Sequence, residues 1–142
     1  MQREANNQPQ YPIGRYQLAA VRTLSGKKLS DLTLAAVVNG EIDDMDVRIS
    51  PETLRMQADI AAAAGRKTLA DNFRRAAELC RLSDETILKI YEALRPARST
   101  RGDLERIAAT LESSGAVLCA AMVRDAIAPY AKSGFLKAAH AA

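Results

Sequence analysis

Residues 50–65 read SPETLRMQADIAAAAG, and this stretch decides the fold class. The Ser50 hydroxyl is a strong N-cap, able to accept from an orphan N–H of the first turn for ~1 kcal/mol. Pro51 follows at the first helical position, where its missing N–H costs nothing, and Glu52 complements the positive end of the helix dipole. Leu54, Ala58 and Ala61 then recur at helical spacing, and Gly65 stops the run. A helix with start, inner stripe and stop is therefore written into sixteen residues.

The same grammar repeats downstream. Over 67–81, Leu69, Phe73, Ala76 and Cys80 recur at helical spacing, with Lys67/Asp71, Asp71/Arg75 and Arg74/Glu78 four apart on the polar side. Ser83 opens another helix with Asp84 and Glu85 in its first turn; Ile87, Tyr91 and Leu94 are its expected inner face, and Pro96 stops it. Thr100-Arg101-Gly102-Asp103 has the form of a capping box before Leu104, Ile107 and Leu111. After Gly115 a last helix carries Leu118, Ala121, Met122 and Ile127, with Pro129 expected to kink or end it. Upstream, Asp31 or Ser30 can cap a short helix through Val38, ended by Asn39-Gly40. Val47-Arg48-Ile49 reads as a single extended stretch rather than a strand of a sheet. The expectation is an all-α fold: a compact bundle of about six short helices at 31–134, preceded by an extended N-terminal arm at 1–30 and followed by a frayed tail at 135–142.

Composition agrees. The chain of 142 residues has 27 alanines but only four Tyr, two Phe and no Trp, which favours slim, closely packed helices with little apolar area each. The formal charge is +3, with acids and bases interspersed as on a solvated surface. Residues 1–12 are polar and lack a signal-peptide core, and charges interrupt every apolar run short of a membrane span, so the cytoplasm is the expected compartment.

Chemistry is hard to place on this inventory. His140 is the sole histidine, in an Ala-rich tail, and Cys80 and Cys119 are isolated, so no zinc spacing occurs. The seven glycines stand singly, without a phosphate-binding loop. Asp43, Asp44 and Asp46 lack the Gly and closing Glu of a calcium loop and read as a turn cluster. Arg95, Arg98 and Arg101 lie three apart across Pro96; they suit salt bridges to an acidic neighbour or a phosphate patch, but acids alternate with bases on nearly every helix. What remains is a helical protein that binds protein, the alternative being an adaptor or nucleic-acid-binding protein unrelated to catalysis. Candidate contacts are the irregular segments with apolar or Arg anchors: Tyr11 and Tyr16 in the arm, Val47, Arg48 and Ile49, and Arg95 and Arg98 at the Pro96 corner.

Three runs carry a resemblance: MDVRISPETLRMQADIAAAAGRKTLADNFRRAA at 45–77, LSDETILKIYEALRPARST at 82–100 and CAAMVRDA at 119–126, with Tyr11-Pro12 and LSDLTLAAVVNGEI in matching order upstream. Over about residues 11–137 the chain resembles the small (gamma) subunit of adenosylcobalamin-dependent diol and glycerol dehydratases. Asp125 stands where the family has Glu, and Ala61 to Ala64 replace charged surface residues. The segment before Tyr11 lacks a clear amphipathic helix of the kind that targets some relatives to bacterial microcompartments, so encapsulation stays open as an alternative to the free cytoplasm. The resemblance implies a holoenzyme with large and medium subunits, two copies of each of the three. It implies conversion of propane-1,2-diol or glycerol to an aldehyde and water by a radical mechanism. Adenosylcobalamin would then be bound by the other subunits, and no catalytic, cofactor or metal residue is carried over to this chain.

Overall fold

A computed structural model describes residues 10–138; His140 and the residues before Gln10 lie outside it. Among the described residues the elements are helical, and the only β pairing is an isolated bridge between Arg22 and Lys28. Seven α-helices form: α1 (Ile13–Tyr16), α2 (Leu34–Val38), α3 (Pro51–Ala63), α4 (Lys67–Leu79), α5 (Asp84–Ala93), α6 (Arg101–Ser113) and α7 (Val117–Lys132). The one beyond the expected six is α1, a single turn after Pro12, and 3-10 turns occupy 18–20 and 29–31. The chain divides after Ala77 into two units.

In the first unit, Ser50 Oγ accepts from the Thr53 N–H at 3.1 Å and caps α3 as its sequence requires. The inner stripe Leu54, Ala58 and Ala61 is buried. Helix α4 meets it with Ala70 and a partly buried Phe73, while Leu69 and Cys80 turn outward. The period of α4 is as expected but its buried arc is displaced by about one residue, because alanine on both helices allows the closest approach. Thr33, rather than Asp31 or Ser30, caps α2 by accepting from Ala36 N at 3.2 Å.

The second unit is built on the α6–α7 helical hairpin. Leu104, Ala108 and Leu111 of α6 pack on Cys119, Ala120, Val123 and Ile127 of α7, with Ile90 and Leu94 of the α5 segment against them. Truncating Leu104, which is fully buried, would cost about 2–5 kcal/mol by the usual cavity relation. Thr100 and Asp103 form the reciprocal capping box, Asp103 N to Thr100 Oγ1 at 3.2 Å and Thr100 N to Asp103 Oδ2 at 2.8 Å. Arg124 locks the hairpin with two N–H donors to Glu112, at 3.1 and 2.7 Å.

Two expected inner faces are corrected here. Tyr91 is exposed, because α5 covers the hairpin with Ile90 and Leu94 instead. Leu118, Ala121 and Met122 are exposed and α7 buries the opposite side, since with apolar residues all round the period could not say which stripe faces in. Of the two effects expected of Pro129 the stop does not occur, since helix α7 runs through it to Lys132; the ring lies on the exposed side, where the Asp125 carbonyl it leaves without an N–H can be hydrated. Beyond α7 the backbone is hydrogen-bonded to the 97–99 corner at Phe135 and Lys137. Ala97 N donates to Phe135 O and Lys137 N to Ser99 O, both at 2.8 Å. The Tyr130 hydroxyl donates to Leu94 O at 2.7 Å, and its ring meets Phe135 edge-on.

Helix α7 has no cap of its own, because Ala116 precedes it. Glu78, at the end of α4, does that work: its carboxylate accepts from Leu118 N at 3.0 Å and Cys119 N at 2.9 Å. It therefore does not pair with Arg74, which goes to Asp71 and Asp59 at 3.2 and 3.7 Å. Satisfying two orphan N–H groups with a carboxylate at a helix N-terminus is worth about 1 kcal/mol or somewhat more. Glu78→Ala should lower unfolding free energy in urea by about 1–2 kcal/mol, with Glu78→Gln losing less. Equal stability of Glu78→Ala and the parent chain would show the cap to be idle.

Candidate docking surface

The first unit has a polar knot at its centre. The Asp46 side chain has no exposed surface and accepts from Ser25 Oγ, Lys27 Nζ and, at 3.1 Å, Asp43 N. Asp43 returns the favour by accepting from Asp46 N at 3.1 Å, so the acidic cluster closes a turn through backbone N–H groups. On the other side, residues 22–28 form a tight reversal: Thr23 N donates to Lys27 O and Lys27 N to Thr23 Oγ1, each at 3.0 Å, around Gly26 at φ +89°. The Lys27 ammonium, then the Ser25 hydroxyl and the Asp43 N–H, hold the Asp46 carboxyl well below the usual carboxylate range.

This knot fixes the segment that follows it. Val47 lies in a turn and Arg48 at a bend, so the 47–49 segment is not one extended stretch, and Arg48 N reaches Met45 O at 3.4 Å. The reason is local: Asp46 is drawn inward, and Ser50 must reach the start of α3 four residues later. Val47 and Ile49 are left about two-thirds exposed, at 66% and 65%, on the rim of an apolar groove of about 480 Å³. Val21, Leu29, Leu32, Leu54 and Phe73 line the rest of its apolar wall. Arg48 is paired with Asp44 at 3.5 Å.

Helix α2 carries the clearest anomaly. It buries Ala36 and turns Leu34, Val37 and Val38 outward, Leu34 at 81% exposure and Val38 at 77%. At 100° per residue these three share an arc of about 100°, so they form one patch. A chain that meets only water does the reverse, placing the small residue out and the large ones in. Twelve of the eighteen large apolar side chains exposed among the described residues lie in this first unit, around a buried cluster of Ala58, Ala61 and Ala70.

Of the other candidates, Tyr11 and Tyr16 are both exposed, the latter with the Arg15 guanidinium 5.8 Å above its ring. Arg95 and Arg98, in the second unit, converge on a single acid, Glu92, at 3.0 and 3.2 Å, and Ser99 Oγ ties their corner to Ala93 O at 2.8 Å. Each is thus paired within the chain, although one carboxylate shared by two guanidinium groups leaves the corner positive. The residues that sequence reasoning missed are Leu34, Val37 and Val38. The available signal was LAAVV itself, five apolar residues on little more than one turn, which cannot all face inward. Among the described residues no three His, Cys, Asp or Glu groups converge as a metal site would need, and no helix is long and apolar enough to cross a membrane.

Comparison with known proteins adds the relatives. A family described as "Dehydratase small subunit" matches residues 6–137. The propanediol dehydratase small subunits of Citrobacter freundii and Salmonella typhimurium are each 48% identical over 128 residues, covering 89% of this chain and 74% of the relative.

Because the native Asp46 carboxyl loses its proton more readily than in the unfolded chain, its stabilisation is full above the ordinary aspartate value, roughly 3.9, and fades as pH falls through the lower native value. Asp46→Asn should therefore be clearly less stable than the parent at pH 7, and the gap should narrow below about pH 4. Urea titrations from pH 7 to 3 read this directly. A gap that stays constant throughout would remove the charge from the explanation.

Proposed function

The chain belongs to the dehydratase small-subunit family, and we propose that it is the non-catalytic small subunit of an adenosylcobalamin-dependent dehydratase acting on propane-1,2-diol or glycerol. In this reading it works in the cytoplasm beside large and medium subunits, two copies of each of the three, and stabilises the large catalytic subunit by docking on it. The observation that carries the docking role is the inverted α2 helix, with Ala36 inside and Leu34, Val37 and Val38 outside. The exposed Val47 and Ile49, and Tyr11 and Tyr16 of the 1–30 arm, extend the contact candidates of the same unit. Arg48, Arg95 and Arg98 are rim contacts in this scheme, since each already has an acidic partner in the chain.

The cofactor is assigned to the other subunits. When bound, adenosylcobalamin supplies the radical chemistry that removes water from a vicinal diol. The described residues do not fit it: they include no imidazole and no converging ligand set, and the buried Asp46 carboxylate is already engaged by Ser25, Lys27 and Asp43 N. The chain's own contribution is then thermodynamic, since a subunit that binds only the folded complex stabilises it by mass action.

The test is co-purification of a tagged chain with the larger subunits, identified by mass. Val38→Glu and Ile49→Glu should each weaken that association by about tenfold or more, an anchor-sized effect, while helical circular dichroism is retained because both positions are exposed. Wild-type affinity in both variants would refute docking through this unit.

A further inference from the structure

Helix α7 is apolar on both sides. Its inner side, Cys119, Ala120, Val123 and Ile127, is consumed by packing within the second unit. At 100° per residue the opposite arc carries Val117, Leu118, Ala121, Met122, Ala128 and Pro129, all exposed, with Val117 at 53% and Met122 at 45%. The only charges along that arc are Asp125 and Lys132, which share its centre line. A helix that is apolar all round belongs in an interior; half of α7 has one and half does not.

The two charges say what is missing. They lie seven residues apart, roughly 10 Å along the axis, too far to meet each other. Neither side chain has a hydrogen-bond or ion-pair partner among the described residues, whereas neighbouring Arg124 is engaged by Glu112 and approached by Glu105 at 3.8 Å. The arc also repeats every seven residues: Leu118, Asp125 and Lys132; Ala121 and Ala128; Met122 and Pro129. That spacing, with alanine notches between larger side chains, suits the ridge of another helix.

We propose that this outer arc of α7 is a second docking face, which seats an apolar helix of another subunit of the dehydratase carrying a basic group against Asp125 and an acidic group two turns away against Lys132. It rests on the reading of the chain as a dehydratase subunit and adds an interface on the second unit. A second copy of this chain fits poorly. Parallel two-fold pairing sets Asp125 against its own equivalent. Antiparallel pairing that matches Asp125 to Lys132 centres on Ala128–Pro129 and leaves Val117 and Leu118 opposite chain beyond the helix end at Lys132. Centring instead on the apolar stretch puts the carboxylate against Leu118.

The test measures affinity of the full chain for the complex of the larger subunits. Met122→Glu and Asp125→Lys should each weaken it about tenfold, and Asp125→Asn by a smaller factor, with thermal unfolding of the free chain unchanged. Normal affinity in both Met122→Glu and Asp125→Lys, while Val38→Glu still binds weakly, would overturn this face and leave the subunit reading standing. Failure of the wild-type chain to bind the larger subunits would overturn both. A free chain that sediments as a dimer, and becomes a monomer with Met122→Glu, would assign the face to a second copy and overturn the proposal.

Discussion

Alanine at the contact points lets helices approach closely but removes little apolar area from water, and this constraint governs the rest of the molecule. Ala58, Ala61 and Ala70 are all but fully buried in the first unit, and Ala108, Ala116 and Ala120 in the second. Each stabilises far less than a buried Leu or Phe, for which full burial is worth about 1.5–3 kcal/mol. The large side chains that would normally supply that energy are present, but many of them, Leu34, Val38, Val47, Ile49 and Met122 among them, face outward. In the proposed docking role, the apolar energy withheld from the interior would become available when a neighbour covers it.

Polar groups then do the positioning that small cores cannot. Asp46 ties the 22–28 reversal to the turn before α3, and so aims Val47 and Ile49 outward. Glu78 joins the end of α4 to the start of α7 across forty residues. Arg124 spans α6 and α7 through Glu112, which is why the Glu112 carboxyl sits below its ordinary range and the Arg124 guanidinium above its own. These links fix direction, whereas alanine contacts alone tolerate sliding.

The parts of the fold legible in the sequence were those set by neighbours three or four residues apart. Ser50, Ser83 and Thr100 cap the helices they precede, and the α3 stripe faces inward as read. The choice of inner face failed where a helix had two apolar sides, as in α7, or where alanine outcompeted a larger residue, as Ala70 did Leu69 in α4. The Glu78 cap was illegible because nothing near Glu78 distinguishes it from a surface partner of Arg74. For the candidate surface, exposure of Tyr11, Tyr16, Val47 and Ile49 follows from irregular segments rich in apolar residues. The α2 patch escaped because a run of five apolar residues has no period to read.

The central claim is that the outward large side chains of α2 are covered in the assembled enzyme. Hydroxyl-radical footprinting of Leu34, Val37 and Val38, in the free chain and in the holoenzyme, addresses it most directly. Strong labelling in the free chain, falling severalfold on assembly, is the predicted result. Equal labelling in both states would contradict the claim and leave the inverted helix without an explanation in this account.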